Sequence, residues 1–321
     1  MTRLLLTLLL SSSTAHADGP QRFFPDDLQQ AGRVSLAPGF SPDGNTLYFA
    51  QSEGSPIWKY PQRLKVSTRT YHGWSTPVLV PLPVSPLDYS PPRTDNPSVS
   101  PDGKTLLFSW SGARPEYAGR DITENFDLFT LDLTDPDAIP QPIRGANINA
   151  VREGAVKRLR YVNNENSPHL TRDGDLYFWT ERLENRGPDT GERDIYIAPS
   201  DNKGGFLAAR PLSAPINSAG RDAGSFVTPD GRLMLMSYPD RGGEGGDDIF
   251  VSTKSDGLWS DPVPLGPEVN SPYADFGARL TPDRQTLVFV STRPFEGTPE
   301  GLLQIWSVPL ADIPILMDAL R

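Results

Sequence analysis

One short phrase occurs five times along this chain of 321 residues: GFSPDGNTLYFAQ (39–51), SVSPDGKTLLFSW (98–110), HLTRDGDLYFWT (169–180), FVTPDGRLMLMSY (226–238) and RLTPDRQTLVFVS (279–291). The turn aspartates, Asp43, Asp102, Asp173, Asp230 and Asp283, are spaced by 59, 71, 57 and 53 residues. Repeats of this order are single supersecondary units that hide their apolar surface against neighbouring copies. A chain built from such units has few folds open to it.

Each unit reads as strand, turn, strand. Phe40, Val99, Leu170, Val227 and Leu280 end a short apolar run, and Ser or Thr then leads into Pro-Asp-Gly. Proline presets φ at the second turn position, aspartate bonds its own backbone, and glycine accepts the left-handed position that closes the hairpin. Arg172 replaces the proline in the third copy and Arg284 replaces the glycine in the fifth, so those two turns are the less strongly specified. Alternation resumes in Leu47-Tyr48-Phe49 and Leu106-Leu107-Phe108, the period-two pattern of a second strand. A third strand is expected at Ile57-Trp58, Asp127-Leu128-Phe129, Asp194-Ile195-Tyr196, Asp248-Ile249-Phe250 and Ile305-Trp306. A fourth, at 74–78 and 259–263, contains proline and suits an outer edge. Four antiparallel strands per unit make one blade of an all-β propeller, with five blades preferred over six. The 71-residue spacing, with its basic Lys157-Arg158-Leu159-Arg160, reads as enlarged loops.

The S-P-D-G-x-x-L-x-F phrase, followed 15–25 residues later by D-[IL]-[YF], resembles the TolB-type, WD-like propeller repeat over residues 35–310. The resemblance implies a propeller and export. It does not fix a role, because one fold hosts many functions. The additional α/β domain that TolB carries before its propeller is expected to be missing here. Residues 18–34 are expected to lead into the ring and close it, and residues 311–321 to form a tail or short capping helix.

Residues 1–17 read as a secretory signal, with Arg3, an apolar Leu4–Leu10 run and small residues at Ala15 and Ala17. The apolar run is far shorter than the ~20 residues that span a bilayer, so the expected product is periplasmic or secreted, monomeric and without a membrane span. The absence of cysteine excludes a disulfide framework, a thiolate metal site and a cysteine nucleophile. A net charge of −10 disfavours nucleic acid as a partner. No G-x-S-x-G elbow or H-E-x-x-H pair occurs, and the three histidines are scattered at 16, 72 and 169. No metal or cofactor is expected.

The segments before the innermost strands are the candidate site. Arg93, Asp95, Asn164, Glu165, Asn166, Arg221, Asp222 and Asp275, together with His169 and Arg279, are expected to ring one mouth of the channel. Mixed charges and amides there suit a protein partner or a polar small-molecule or glycan ligand. A rival reading makes Asp95, Glu165, Asp222 and Asp275 the acids of a carbohydrate hydrolase or lyase, which needs two carboxyls roughly 5–10 Å apart. Asp127, Asp194 and Asp248 recur before the third strand and are read as structural hydrogen-bonding groups.

Overall fold

The computed structural model describes residues 19–24, 33–82, 93–111, 126–150, 164–181, 193–239, 241–295 and 301–321. The signal at 1–17 and the basic stretch Lys157–Arg160 lie outside the described residues. Five antiparallel sheets follow one another along the chain. Blade one contains Val34–Phe40, Thr46–Ser52, Gln62–Thr70 and Gly73–Trp74, and Val78–Leu79 also pairs with its third strand. Blade two comprises Thr94–Val99, Thr105–Trp110, Asp127–Asp132 and Gln141–Pro142. Blade three comprises Glu165–Leu170, Leu176–Thr180, Asp194–Ala198 and Arg210–Pro211. Blade four comprises Ala223–Val227, Leu233–Tyr238, Asp248–Ser255 and Leu258–Trp259, with Val263–Pro264 paired to its third strand. Blade five has Asp275–Leu280, Thr286–Ser291 and Gln304–Pro309.

The first strand of each sheet touches the first strand of both neighbouring sheets, which closes a ring of five around an axis. Blade five takes its outermost strand from the start of the chain. Gln21 pairs with Ser307 and Arg22 with Trp306, and the Phe23 N–H donates to the Ile305 carbonyl at 2.9 Å. The tail folds into a short helix, Pro314–Ala319, whose Leu316 is buried between blades four and five.

Period-two alternation sorts the core into five seams. In blade two, Leu106 and Phe108 pack toward blade one, while Leu107 packs toward blade three. In blade three, Leu176 and Phe178 face blade two, and Tyr177 and Trp179 face blade four. Met234 and Met236 fill the seam between blades three and four, whereas Leu233 and Leu235 fill the next one with Leu287 and Phe289. Val288 and Ile305 meet Phe24, Leu47 and Phe49 where the ring closes. Successive residues of a strand point to opposite faces of the sheet, so each second strand serves two seams.

The turns follow their chemistry. In the second copy the Ser100 hydroxyl donates to Asp102 Oδ1 at 2.6 Å, which also accepts from the Lys104 N–H at 3.1 Å. The fifth copy repeats this with Thr281, Asp283 and Gln285, and Arg284 adopts the positive φ of the glycine it replaces. Arg284 also reaches Asp230 in the neighbouring turn at 3.1 Å. The third turn is one residue shorter, and the Thr171 hydroxyl accepts from the Asp175 N–H. Asp173 makes no side-chain hydrogen bond among the described residues.

One expected strand is elsewhere. Ile57–Lys59 is a single 3-10 turn, and the third strand of blade one is Gln62–Thr70. Its apolar residues are only Leu64 and Val66, set among Arg, Lys, Ser and Thr, so it carries little of the apolar signal that marks the other third strands.

Candidate functional site

Every innermost strand carries a bulge at the same level. In blade one Leu36 pairs with Ala50 and Gly39 with Tyr48, so Ala37 and Pro38 together oppose one residue. The same slip falls between Asp95 and Ser98, Asn166 and His169, Ala223 and Phe226, and Phe276 and Arg279. The first bulged residue is left-handed each time: Ala37 (φ 53), Asn96 (φ 46), Ser167 (φ 55), Gly224 (φ 69) and Gly277 (φ 64). Such a φ is uncommon for alanine or serine and carries a cost of about 1–3 kcal/mol that the surrounding sheet must hold.

The extra residue resets the facing of side chains, because two positions three apart now lie on the same side. Two rings result. Leu36, Asp95, Asn166, Ala223 and Phe276, with the bulge residues beside them, line a cavity of about 590 Å³ at one mouth of the channel. Gly39, Ser98, His169, Phe226 and Arg279 line a cavity of about 170 Å³ at the mouth where the Pro-Asp-Gly turns lie. The strands crowd between them: a Cβ on Gly39 would lie 2.2 Å from the Pro97 carbonyl oxygen of blade two.

The ten candidate residues are therefore divided. Arg93, Asp95, Asn164, Asn166 and Arg221 line the wide mouth. His169 and Arg279 line the narrow one. Glu165, Asp222 and Asp275 line neither; they occupy the equivalent strand position that alternates away from the channel. Asp222 accepts from the Ser218 N–H at 2.6 Å and approaches Arg241 at 3.4 Å. Asp275 accepts from the Ser271 N–H at 2.7 Å and pairs with Arg293 at 2.7 Å. Both carboxylates brace a loop against the end of their own blade's second strand.

Sequence reasoning missed the residues that complete the wide mouth. Glu181, at the end of a second strand, bonds Arg193 Nε at 2.6 Å and Asn164 Nδ2 at 3.1 Å. Burial pushes its carboxyl above the usual range, against the pull of Arg193. Burial likewise raises the Asp95 carboxyl, with Arg93 acting in the opposite direction. Arg193 lies 4.4 Å from the Trp179 ring and Arg93 5.0 Å from the Phe126 ring, distances at which a guanidinium is attracted by the face of an aromatic ring. Asn96 Nδ2 donates to Asn166 Oδ1 at 2.9 Å, tying blade two to blade three at the rim. Arg93 Nε is buried and has no hydrogen-bond partner among the described residues.

A second recurring device is structural. Asn149, Asn217 and Asn270 each accept from the N–H and donate to the carbonyl of one third-strand residue: Leu128, Ile195 and Ile249 respectively. The sequence signal was present as Ile-Asn, Ile-Asn-Ser and Val-Asn-Ser. Among the described residues no group of three His, Cys, Asp or Glu side chains could hold a metal ion. No described helix is long and apolar enough to cross a membrane.

Fold and site together define a five-bladed β-propeller whose channel opens at a wide polar mouth and a narrow cationic one. No protein-family model and no curated protein matches the chain. Among solved structures it is similar to a GH43 endo-arabinanase from Bacillus licheniformis, at 14% identity over 86% of this chain and 93% of that one, with a TM-score of 0.52. It is also similar to a family 117 glycoside hydrolase from Zobellia galactanivorans, at 14% identity over 92% and 89% of the two chains, with a TM-score of 0.51. TolB from Acinetobacter baumannii is a further neighbour, at 15% identity over 86% of this chain and a TM-score of 0.47, and the chain spans about half (54%) of that protein's length. At these identities the likeness is one of fold.

Proposed function

We propose that this is an exported, non-catalytic propeller that holds a polar ligand, a glycan or an exposed segment of a protein partner, in the wide mouth. The N-terminal stretch around Arg3, Leu4–Leu10 and Ala15-His16-Ala17 supports export. One observation carries the binding reading. The 590 Å³ cavity presents Arg93, Asp95, Asn96, Asn166 and Arg221 beside Trp179 and Phe126, which is the mixture of a few polar anchors with aromatic walls that small-ligand sites use.

The hydrolase reading draws on Asp95 and Glu181, two carboxyls in one cavity, both raised by burial. Against it, both oxygens of Glu181 are already engaged, by Arg193 and Asn164. Asp222 and Asp275 are likewise committed to neighbouring hydroxyls and guanidiniums.

Glycan-array screening and pull-down from envelope extract, followed by titration of the purified protein with whatever is captured, test the proposal. Asp95→Asn and Arg93→Ala are expected to weaken binding about tenfold or more, as for loss of a charge-assisted contact. Undiminished binding by both variants would remove the wide mouth as the site. Steady release of sugar from a polysaccharide panel, lost in Asp95→Asn, would transfer the protein to the hydrolases.

A further inference from the structure

The narrow mouth has a lining of its own, distinct from that of the wide one. Arg279 is 2% exposed and lies in the 170 Å³ cavity, yet its Nε and Nη2 have no hydrogen-bond partner among the described residues. Its remaining nitrogen, Nη1, donates to the Ala278 carbonyl at 3.3 Å. The two unpartnered atoms form the side-on edge of the guanidinium, which is the edge that takes both oxygens of a carboxylate in parallel. A buried donor left unmade is unfavourable, and natural structures rarely tolerate two on one charged group.

The surroundings select the sign of the guest. None of the described residues lining this cavity is acidic, whereas Arg172, Arg279 and Arg284 all line it, in a chain whose net charge is −10. Asp95 acts on Arg279 only through space, with no ion pair between them. Burial lowers the Arg279 pKa to about 9, so the group still carries its charge at neutral pH. His169 stands nearby, edge-on to Phe226 at 5.3 Å, and burial together with the Arg279 charge holds its pKa well below the usual histidine range. The rest of the wall is largely apolar, with Phe40, Val99, Leu170, Phe226 and Leu280 beside the hydroxyls of Ser98, Thr228 and Thr281. A cavity of about 150 Å³ is large enough for a benzene ring.

We propose that the turn-side mouth of the channel is a receptor for one carboxylate carried on a small apolar body, gripped edge-on by Nε and Nη2 of Arg279. The carboxylate can belong to a free acid or to the end of a peptide chain.

Calorimetric titration of the full-length protein with benzoate, butyrate, inorganic phosphate, and a tripeptide ending in Phe with a free or amidated terminus tests this. Saturable binding of benzoate or of the free-ended tripeptide is expected, and whichever is tighter identifies the source. Arg279→Met should weaken it by about tenfold or more, and Arg279→Lys should also weaken it because the paired edge is lost while the charge remains. Ser98→Leu, which fills the cavity from blade two, across the channel from blade five, and leaves Arg279 intact, should abolish it. In the unmodified protein, benzoate should shift the imidazole NMR signals of His169 and leave those of exposed His72 in place. Binding of phosphate alone, no saturation by any carboxylate, or undiminished affinity in Ser98→Leu would each overturn the proposal.

Discussion

Phe24→Ala is the most direct test of how the ring is closed. Phe24 is 2% exposed and sits in the seam between blades five and one, with Leu47, Phe49, Val288 and Ile305. Its ring lies 5.0 Å from that of Phe49, and Phe23 beside it is 5.2 Å away. The strand that leads to it is only two residues long, Gln21–Arg22, so its few ladder bonds, worth about 0.5–1.5 kcal/mol each, cannot by themselves hold the first and last blades together. The buried ring therefore supplies most of what this segment adds to the closure that the packing of Val34–Phe40 against blade five begins. Truncating a buried phenylalanine to alanine costs about 3–5 kcal/mol, a large part of the 5–15 kcal/mol of a typical domain. At the ~2–4 °C per kcal/mol seen in domains of 150–250 residues, the midpoint should fall by roughly 6–20 °C. Differential scanning calorimetry would read the fall, and hydrogen exchange should show the Ile305–Ser307 amides losing protection before those of blades two and three. Phe24→Leu should recover most of the loss. A drop of less than about 2 °C, or exchange that rises equally in all blades, would refute the view that this segment is the clasp.

Three further outcomes are expected. Asp102→Ala should cost about 0.5–2 kcal/mol, like the loss of a local cap, and urea unfolding would measure it; in the native protein the Ser100 hydroxyl holds the Asp102 carboxyl below its ordinary range, so this contribution is present above the unfolded pKa near 3.8 and is lost as pH falls through the lower folded one. Arg293→Ala leaves Asp275, whose side chain has 0% exposure, without its cation, and should destabilise by about 3–5 kcal/mol, whereas the double change with Asp275→Asn should cost less than the two single losses added; strict additivity in a urea double-mutant cycle would contradict the pairing. Gly39→Ala should lower the thermal midpoint measurably, because its Cβ would meet the Pro97 carbonyl oxygen at 2.2 Å, and an unchanged midpoint would mean that the innermost strands pack less tightly than described.

The blades were legible because each copy of Pro-Asp-Gly announces a hairpin, and because alternation such as Leu106-Leu107-Phe108 is strong where a strand is buried on both faces. Gln62–Thr70 was not legible, since a strand with only Leu64 and Val66 as apolar residues reads as loop. The candidate site was legible only by neighbourhood. Arg93, Asp95, Asn164, Asn166 and Arg221 line one cavity, but Glu165, Asp222 and Asp275 belong to the alternate face. His169 and Arg279 lie beyond the bulge, at the opposite end. Nothing in Asn-Ser-Pro or Asp-Asn-Pro signals the extra residue, because a bulge is set by pairing with the next strand and not by the local sequence alone. Glu181 was overlooked for a related reason. It follows the repeat phrase, where loops usually begin, yet the hairpin of blade three runs one pair further and sets it opposite Asn164, its N–H donating to the Asn164 carbonyl at 3.0 Å.

The bulge shared by all five innermost strands has a consequence for how such a molecule can diverge. In an unbroken strand, positions facing the axis recur every second residue, and a change of spacing at one end propagates to the other. Here one surplus residue per strand acts as a mechanical joint, uncoupling the register above it from the register below. Substitutions at Asn166 or Ala223 can therefore recast one opening while His169 and Phe226, three positions on, keep the other as it was. A single pore thus offers two separately adjustable ends.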